Sequence, residues 1–416
     1  MEWWNGGDRL KHEEIRRKAS SGTVRLASGS PERRLPGLDE ICICPARLAG
    51  GFPADIFGGI DTDVSIGLKG CRNPLNLQTP VFIPGAPFGE VGKGVRLALA
   101  YGASLAGTAF GTGEGGFLPE EGAICREFHG RSMVTWGPGR YGVSPESLRA
   151  GDAVVVELCG TGRGSTTGLL RMERSIPAHA ALYGVPEGLD LVLPPHPLDL
   201  EYMEDLRLHI ELMRELTEHR VPVIVRMGAA RVYEEVKLAV EAGADAVWLD
   251  ALESPLHGAP VVVAEEVGIP LVAIFAPARR ALEETGAKER GVKLLVSGGM
   301  TDGAEVFKAL ALGADAVGVP EGAMIAIRLE EGGGGAHLGT AAPGPAPELD
   351  WRLAGRSLAN YLQALTDEVR VLTAATGHTS TAALGPEDLR ALTYNAAALT
   401  GLKLAGYDRQ LPMWMH

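Results

Sequence analysis

The fold of this chain is decided by Val81-Phe82-Ile83-Pro84-Gly85-Ala86-Pro87-Phe88-Gly89 and, further on, by Thr112-Gly113-Glu114-Gly115-Gly116. The first stretch begins as a short apolar strand and ends in a Gly-Ala-Pro turn. Residues 92–101 have the apolar spacing of a helix, and residues 105–110 resemble a second strand. The second glycine turn therefore leaves the carboxyl end of a strand, where ligands collect in α/β proteins. Glycine lets backbone amides approach a bound group, and Glu114 is a candidate acid, base or cation anchor there.

Strand and helix signals go on alternating as far as residue 319. The strand candidates are residues 81–83, 105–110, 133–136, 153–158, 189–193, 221–225, 246–249, 293–296 and 314–319. Repeated strand–helix units with buried strands predict a (β/α)8 TIM barrel of the α/β class. An open, doubly wound sheet is the alternative that the spacing of the units leaves open.

Four segments organise the chain around this barrel. Residues 1–79 are interpreted as an N-terminal extension, 80–330 as the barrel, 331–350 as a Gly/Pro-rich loop, and 351–416 as C-terminal helices and a tail. The last helices are predicted at residues 357–376 and 386–404. The tail, which includes Trp414, is predicted to be an exposed arm able to contact a second copy in a homo-oligomer.

Composition excludes several classes of function. The 416 residues are 45% hydrophobic, enough for one elaborated domain or two. The net charge of -13 argues against non-specific nucleic-acid binding and against an anionic membrane surface. No secretory signal or membrane-spanning run is recognisable, and five scattered cysteines suit a reducing compartment. We therefore predict a cytoplasmic protein with a small-molecule substrate and neither a nucleic-acid nor a membrane partner.

The spacing of the cysteines does not indicate a metal site. Cys42 and Cys44 are separated by one residue, which is not a common zinc spacing, and no matching pair follows. We predict no metal.

A second glycine motif, Val296-Ser297-Gly298-Gly299-Met300, follows the strand at 293–296. Exposed amides and a helix N-terminus in such a turn can bind a phosphate without any cation. Gly318, at the end of the last strand, would complete the site. An ordinary turn between a strand and a helix is the alternative.

These motifs resemble the flavin-binding domain of glutamate synthases, whose glycine turn reads Asn-Thr-Gly-Glu-Gly-Gly; here Gly111 replaces the asparagine. Residues 139–143 are similar to the family's Gly-Arg-Phe-Gly-Val, and residues 190–199 to its Ile-Ser-Pro-Pro-Pro-His-His-Asp. The resemblance covers about residues 80–405 and implies an FMN-binding barrel. The Gly-Gly signature also occurs in isopentenyl diphosphate isomerases and hydroxy-acid oxidases, so it supports FMN but no particular reaction.

The resemblance implies a set of cofactor-binding residues. They are Gly85, Ala86, Pro87, Thr112, Gly113, Arg226, Gly298, Gly299 and Gly318. Arg226 stands where a lysine of the family contacts the flavin ring. A guanidinium there would place positive charge near the N1–C2=O edge and stabilise reduced flavin.

The resemblance also implies catalytic and substrate-binding residues. The catalytic candidates are Glu114, Arg163 and Arg226, and the substrate-contact candidates are Glu114, Glu157, Arg163, Tyr183 and His196. Where the family has Lys-Met-Ala-Gln-Gly-Ala-Lys-Pro-Gly, this chain has Glu157-Leu158-Cys159-Gly160-Thr161-Gly162-Arg163-Gly164. Glu157 reverses one charge, Gly160 removes the amide side chain, and Arg163 keeps a cation. An arginine that the family uses on substrate falls near Tyr183, and His196 is equally well a structural histidine.

These departures affect the dicarboxylate pocket more than the phosphate site. A lost cation and the added Glu157 disfavour a doubly charged acid in a partly dry pocket, so we expect a substrate other than plain 2-oxoglutarate. The family's iron–sulfur cysteines are replaced by Arg328-Leu329-Glu330-Glu331, and no N-terminal cysteine is present to release ammonia from glutamine. A separate glutaminase or electron-donor subunit is therefore expected.

Three functions follow from this resemblance. The first is a glutamate synthase-like, FMN-dependent oxidoreductase of the CH–NH2 donor type, acting on an imine, an amino acid or a related 2-oxo acid. The second is a subunit of an N-methylglutamate synthase-type transferase. The third is a non-catalytic barrel that has lost FMN.

Overall fold

A computed structural model describes residues 9–46, 59–68, 70–159, 168–170, 177–187, 189, 191–327 and 349–414 of the chain. Parallel strands form its centre. They are β1 (Val81–Phe82), β2 (Ala109–Gly111), β3 (Arg131–Trp136), β4 (Ala153–Glu157), β5 (Val223–Gly228), β6 (Ala246–Asp250), β7 (Lys293–Ser297) and β8 (Ala316–Gly318).

The strands close into a ring. Neighbours from β2 to β8 pair in parallel in chain order, and β8 pairs in parallel with β1. A bridge between Ile83 and Phe110 joins β1 to β2, with the Ile83 amide donating to the Ala109 carbonyl at 2.9 Å. The predicted (β/α)8 barrel is therefore confirmed, and the open, doubly wound alternative is excluded.

One helix follows each strand around the outside. These helices are α1 (Phe88–Leu105), α2 (Pro119–Phe128), α3 (Pro145–Ala150), α4 (Met203–Leu216), α5 (Val232–Ala242), α6 (Phe275–Glu284), α7 (Gly303–Leu312) and α8 (Trp351–Ala375). Local sequence sets their ends: Ser144 caps α3 by accepting from the Ser147 amide, and Gly243 ends α5 in the left-handed conformation.

Shorter elements decorate the barrel. Helices lie at Arg9–Ser21, Pro177–Tyr183, Val261–Glu266, Ala287–Arg290, Pro320–Ala326 and Tyr394–Thr400, and 3-10 turns at Leu38–Glu40, Leu271–Ala273, Thr381–Ala383, Pro386–Asp388 and Pro412–Trp414. Antiparallel pairs join Leu26–Gly29 to Leu256–Pro260, Ile41–Ile43 to Leu389–Ala391, Val64–Ile66 to Leu75–Leu77, and Gly168–Leu170 to Leu191–Leu193.

Alternate strand residues fill the inside of the barrel. The interior cluster contains Phe82, Ala109, Met133, Ala153, Val155, Ile224, Ala246, Trp248, Leu295 and Ala316, together with the hairpin at residues 64–77. Because side chains alternate with period two, the residues two positions after Val155, Ile224 and Trp248 also face inward, at the carboxyl ends of the strands. Alternation thus places the polar residues of β4, β5 and β6 at the barrel mouth.

α8 belongs to the outer layer of the barrel, where it packs on α1. The two helices cross at glycines, since a Cβ on Gly102 would lie 2.7 Å from the carbonyl oxygen of Gly355. The predicted division of the chain at residues 79, 330 and 350 stays a prediction.

Two predicted elements are wrong. Residues 191–193 are not part of the alternating series but form an antiparallel ribbon with Gly168–Leu170, outside the barrel. The single helix predicted for 386–404 is a 3-10 turn, a strand that pairs with Ile41–Ile43, and the helix Tyr394–Thr400. Thr393 caps this helix and Gly401 ends it in the left-handed conformation, so capping residues override the apolar spacing.

The end of the chain packs on the chain itself as far as residue 414. Leu411 is buried, and the Trp414 indole N–H donates to the Ala398 carbonyl at 3.0 Å. The tail is therefore anchored on the chain through Leu411 and the Trp414 hydrogen bond, while Met413 and Trp414 remain exposed, and its contact with a second copy stays a prediction. None of the helices in the described ranges is long and apolar enough to span a membrane, and all five cysteines are free thiols.

Candidate active site at the barrel mouth

Arg226, on β5, lies between two carboxylates at the mouth of the barrel. Its Nε donates to Asp250 Oδ2 at 2.7 Å, and its Nη1 is 3.5 Å from Glu157 Oε1. The Arg226, Glu157 and Asp250 side chains are only 12%, 8% and 2% exposed. The guanidinium carbon also lies 4.3 Å from the centre of the Trp248 ring. Two acids and an aromatic face therefore hold the arginine in place.

Ser297, on β7, completes this network. The Trp248 indole N–H donates to Ser297 Oγ at 2.7 Å, and Ser297 Oγ donates to Asp250 Oδ1. Both carboxylate oxygens of Asp250 are thus occupied. Four consecutive strands, β4 to β7, each contribute to the network, so it forms a rigid floor for the mouth.

The charges in this network are unequal. Burial raises the pKa of Glu157, Arg226 opposes that rise, and Asp250 adds to it. Burial lowers the pKa of Arg226, but Asp250 and Glu157 outweigh that effect and keep the guanidinium charged. One cation therefore meets two carboxyl groups.

A cavity opens above this floor, with an empty volume of about 800 Å3 when the adjoining open solvent is counted. Its lining brings together five of the predicted site residues: Gly85, Ala86, Pro87, Glu157 and Arg226. The rest is mostly apolar and comes from Ile83, Pro84, Val91, Leu99, Pro255, Leu256, Pro320, Ala323 and Met324, with Asp250 and Ser254. An apolar hollow with a few polar groups at one end is the usual form of a cofactor or substrate site.

The glycines of the first two loops make room for each other. A Cβ on Gly85 would collide with the backbone of Gly113, and one on Gly111 would lie 2.6 Å from the Gly85 amide nitrogen. Thr112 is fully buried, and its hydroxyl accepts from the Thr135 amide at 3.1 Å. In the structure these glycines let two backbone turns touch, and their assignment to cofactor binding, with Thr112 and Gly113, stays a prediction.

Glu114 is buried beside the following loop. Its Oε1 accepts from the Gly139 amide at 2.9 Å, and a Cβ on Gly139 would lie 2.6 Å from that oxygen. Burial, and then the charge of Glu157, raises the pKa of Glu114 to about 8, against the opposing effects of Gly139 and Arg140. The carboxyl is therefore largely protonated at neutral pH and can donate a proton.

This protonation makes the stability of the protein depend on pH. Because the folded-state pKa of Glu114 lies above the usual 4.5, the contribution of this group to stability is most favourable below pH 4.5 and is lost as pH rises towards 8. We expect Glu114→Gln to remove this pH dependence. Relative to wild type, the free energy of unfolding of the variant should be higher at pH 8 than at pH 4.5 by up to about 4 kcal/mol. Urea unfolding at both pH values measures it. The exposed Glu127→Gln is the control, and equal pH slopes for Glu114→Gln and wild type would contradict the assignment.

A buried ion pair that the sequence did not reveal supports the Glu114 loop. Arg96, on α1, binds both oxygens of Glu121, on α2, at 2.7 and 2.6 Å, and its Nη2 donates to the Gly116 carbonyl at 2.9 Å. Glu121 Oε2 also accepts from the Leu118 amide at 2.8 Å. The two side chains are 2% and 0% exposed. The pair ties α1, α2 and the glycine turn after Glu114 together.

Arg140 holds the loop that carries Gly139. Its guanidinium carbon lies 3.1 Å from the centre of the Trp136 ring, and its Nη2 donates to Asp199 at 2.7 Å. Its backbone is in the left-handed region, with φ of 56°. Sequence reasoning matched the motif around Arg140 but gave the residue no role.

Two of the remaining substrate candidates, Tyr183 and His196, lie in the described part of the chain. Tyr183 is buried against Tyr141, with ring centres 6.0 Å apart, and it touches Gly115 beside Glu114. His196 is exposed, and its Nδ1 is 3.0 Å from the Pro197 carbonyl. Arg163 lies outside the described residues. These three assignments stay predictions.

The predicted phosphate site lies at the ends of β7 and β8. A Cβ on Gly318 would lie 2.7 Å from Pro84 Cγ, and one on Gly298 would lie 3.3 Å from Leu271 Cδ2. The N-terminus of α7 is already occupied: the Glu305 amide donates to Asp302, the Thr301 amide to Glu305, and the Gly303 amide to Glu368. The amides at the N-terminus of α7 therefore bind the protein's own carboxylates. Of the predicted phosphate site, the Gly298-Gly299 turn and the end of β8 remain.

Donor atoms of Glu211, Glu215 and His219, on and just after α4, lie close enough together to hold a metal ion. All three residues are exposed and are not part of the cavity lining, so this group does not enter the site chemistry.

The geometry defines a (β/α)8-barrel protein with a polar, cavity-forming mouth at the carboxyl ends of its strands. Over residues 58–379 the chain matches the conserved region in glutamate synthase, and it belongs to that family.

Curated relatives agree with this assignment. The chain is 34% identical to a glutamate synthase large subunit-like protein of Rhizobium meliloti (strain 1021), covering 94% of this chain and 93% of that protein. It is 31% identical to an archaeal-type glutamate synthase [NADPH] of Thermotoga neapolitana, covering 81% of this chain and 65% of that protein. The chain thus spans about two thirds of the archaeal-type enzyme.

Solved structures share the fold. A flavocytochrome b2 variant with sulfite bound has a TM-score of 0.55 and 17% identity, over 87% of this chain and 80% of that one. A mandelate oxidase variant with the monooxide FMN adduct has a TM-score of 0.55 and 20% identity, over 87% and 93%.

Proposed function

We propose that this chain is an FMN-dependent oxidoreductase of the glutamate synthase family. The observation that carries the proposal is the cavity between the Pro84–Pro87 turn and Arg226, at the carboxyl ends of the strands. Its walls are apolar and suit a flat ring, and Arg226 is the one cation among its described lining residues. Family membership and the likeness to an FMN-containing mandelate oxidase support the choice of flavin.

The apolar lining of the cavity suits the ring of FMN, and we propose that Gly85, Ala86 and Pro87 lie along it. The Gly298-Gly299 turn and Gly318 are the proposed phosphate site; Gly298 and Gly318 are buried, and a Cβ on Gly318 would lie 2.7 Å from Pro84 Cγ. When bound, FMN supplies the two-electron chemistry that no amino-acid side chain provides.

The chain's own residues orient the substrate and move a proton. Glu114 holds its proton at neutral pH and is the candidate general acid. Glu157 and Asp250 disfavour a doubly charged acid, so we propose an imine, an amino acid or a related singly charged 2-oxo acid as substrate. Arg163, Tyr183 and His196 remain the proposed substrate contacts.

We further propose a cytoplasmic protein that works with a separate electron-donor or glutaminase subunit. The partner is proposed because Arg328-Leu329-Glu330-Glu331 stand where the family has iron–sulfur cysteines. A homo-oligomer remains part of the proposal.

A binding titration tests the cofactor. We expect the purified chain to bind FMN one to one, with visible flavin absorption, and to bind riboflavin more weakly because riboflavin lacks the phosphate. Gly318→Ala should weaken FMN binding at least tenfold, since its Cβ would press on Pro84. Gly385→Ala is the matched control, because no atom lies within 4 Å of its added Cβ. A colourless chain that ignores added FMN would reject the proposal, and equal riboflavin affinity would reject only the phosphate site.

Reoxidation separates the substrate classes. The FMN-loaded protein is reduced with dithionite and mixed with 2-oxoglutarate, with 2-oxoglutarate plus ammonium or methylamine, or with monocarboxylic imines. We expect monocarboxylic imines to reoxidise the flavin fastest. Fastest reoxidation by 2-oxoglutarate plus ammonium would instead indicate ordinary glutamate synthase chemistry.

A further inference from the structure

Arg226 is the one cation among the described residues that line the cavity, and two carboxyl groups hold it in place. Arg226 gives its Nε to Asp250 at 2.7 Å and places its Nη1 3.5 Å from Glu157, and all three side chains line the cavity. Asp250 cannot turn away, because its other oxygen accepts from Ser297 Oγ. Among the described lining residues, a ligand in the cavity therefore meets an arginine whose charge is compensated by Asp250, with a second carboxyl group, Glu157, beside it.

We propose that this network makes the barrel mouth electronegative towards a bound flavin, so that the flavin is a weak electron acceptor and takes up a second proton when it is reduced. The inference rests on the proposed function. It differs from the expectation raised by the sequence, in which Arg226 stabilises anionic reduced flavin.

The electrostatic argument follows from what flavin reduction does to charge. Two electrons and one proton convert the ring into an anion, whereas two electrons and two protons leave it neutral. Arg226 is compensated by Asp250 and so gives the anion little stabilisation, and the Glu157 carboxyl disfavours the anion whenever it is ionised, because Coulomb interactions in a partly dry cavity are stronger than in water. The second proton neutralises the reduced ring, so the electrostatic cost of an anion in this cavity is avoided.

The groups that set this charge are few. Glu157 comes from β4, Arg226 from β5 and Asp250 from β6, and they are the charged members of the described cavity lining. Glu114, beside Arg140, acts on the same set through Glu157. Trp248 and Ser297 carry no charge but keep the network in register.

Redox titration of the FMN-loaded protein tests the inference. Wild type, Asp250→Asn and Asp315→Asn are equilibrated with reference dyes at several pH values, and the absorption spectrum of the reduced flavin is recorded. Asp315 forms its ion pair with Lys293 at 2.9 Å, at the opposite end of the barrel, and so serves as the matched control.

For Asp250→Asn we expect the equilibrium constant for flavin reduction to rise at least tenfold at neutral pH. The reduced flavin should change from the neutral to the anionic spectrum, while Asp315→Asn matches wild type. An anionic spectrum in wild type, or an unchanged potential in Asp250→Asn, would overturn the inference but leave flavin binding intact. Failure of wild type to bind flavin would overturn both the proposed function and this inference.

Discussion

Replacing Glu121 by glutamine is expected to lower the free energy of unfolding by about 3–5 kcal/mol. Arg96 would keep its charge in a site that is almost completely buried, with one bidentate partner removed. Its Nη1 already has no hydrogen-bond partner among the described residues, so the loss cannot be absorbed locally. Urea unfolding followed by circular dichroism measures the change.

The neighbouring residue offers a matched control. Glu120, also on α2, pairs with Lys93 at 2.6 Å, but these side chains are 54% and 48% exposed. We expect Glu120→Gln to cost at most about 1 kcal/mol, since solvent screens such a pair. Similar losses for Glu120→Gln and Glu121→Gln would show that burial is not what makes the Arg96 pair important.

A double variant separates the charge from the packing. Arg96→Met with Glu121→Leu removes both charges and keeps apolar volume, so much of the lost stability should return. Because Gly116 would lose its hydrogen bond, the Glu114 loop should still loosen. Faster hydrogen exchange at residues 114–118 in an otherwise stable double variant would support a role in positioning that loop.

The barrel could be predicted from the sequence because it depends on local patterns. Apolar runs that end in glycine turns mark the strand ends, and period-two alternation places Glu157 and Arg226 at the mouth. The ribbon at residues 191–193 has the same apolar character as a barrel strand. Its pairing with Gly168–Leu170 depends on the tertiary structure, so the sequence pattern could not distinguish this ribbon from a barrel strand.

The electrostatics of the site could not be predicted, because charge pairing depends on register between strands. Arg226 was predicted to offer a free cation, but the β5–β6 register sets it beside Trp248 and within reach of Asp250. Arg96 and Glu121 also look like ordinary charges on helices. Only the packing of α1 against α2 reveals that both are buried.

Replacing Arg226 by methionine is expected to destabilise the protein by about 3–5 kcal/mol at neutral pH and to weaken FMN binding at least tenfold. Glu157 would lose the charge that opposes the rise in its pKa, so that pKa would climb further. A raised carboxyl pKa gives stability that is present at low pH and lost as pH rises. The deficit of the variant should therefore be larger at pH 8 than at pH 5, and urea unfolding at both values measures it.

Arg214→Met is the control, because it breaks a similar arginine–aspartate pair. Its partner, Asp245, stands immediately before β6, whereas Asp250 stands at the end of that strand. Arg214 Nη2 lies 3.2 Å from Asp245 Oδ2. The Arg214 side chain is more exposed than that of Asp245. We expect a smaller loss of stability and unchanged FMN binding, since Asp245 lies away from the cavity. Adding Glu157→Gln to Arg226→Met should remove most of the extra pH dependence, because the amide does not titrate. If the deficit of Arg226→Met were the same at pH 5 and pH 8, the buried carboxylates would not be the cause.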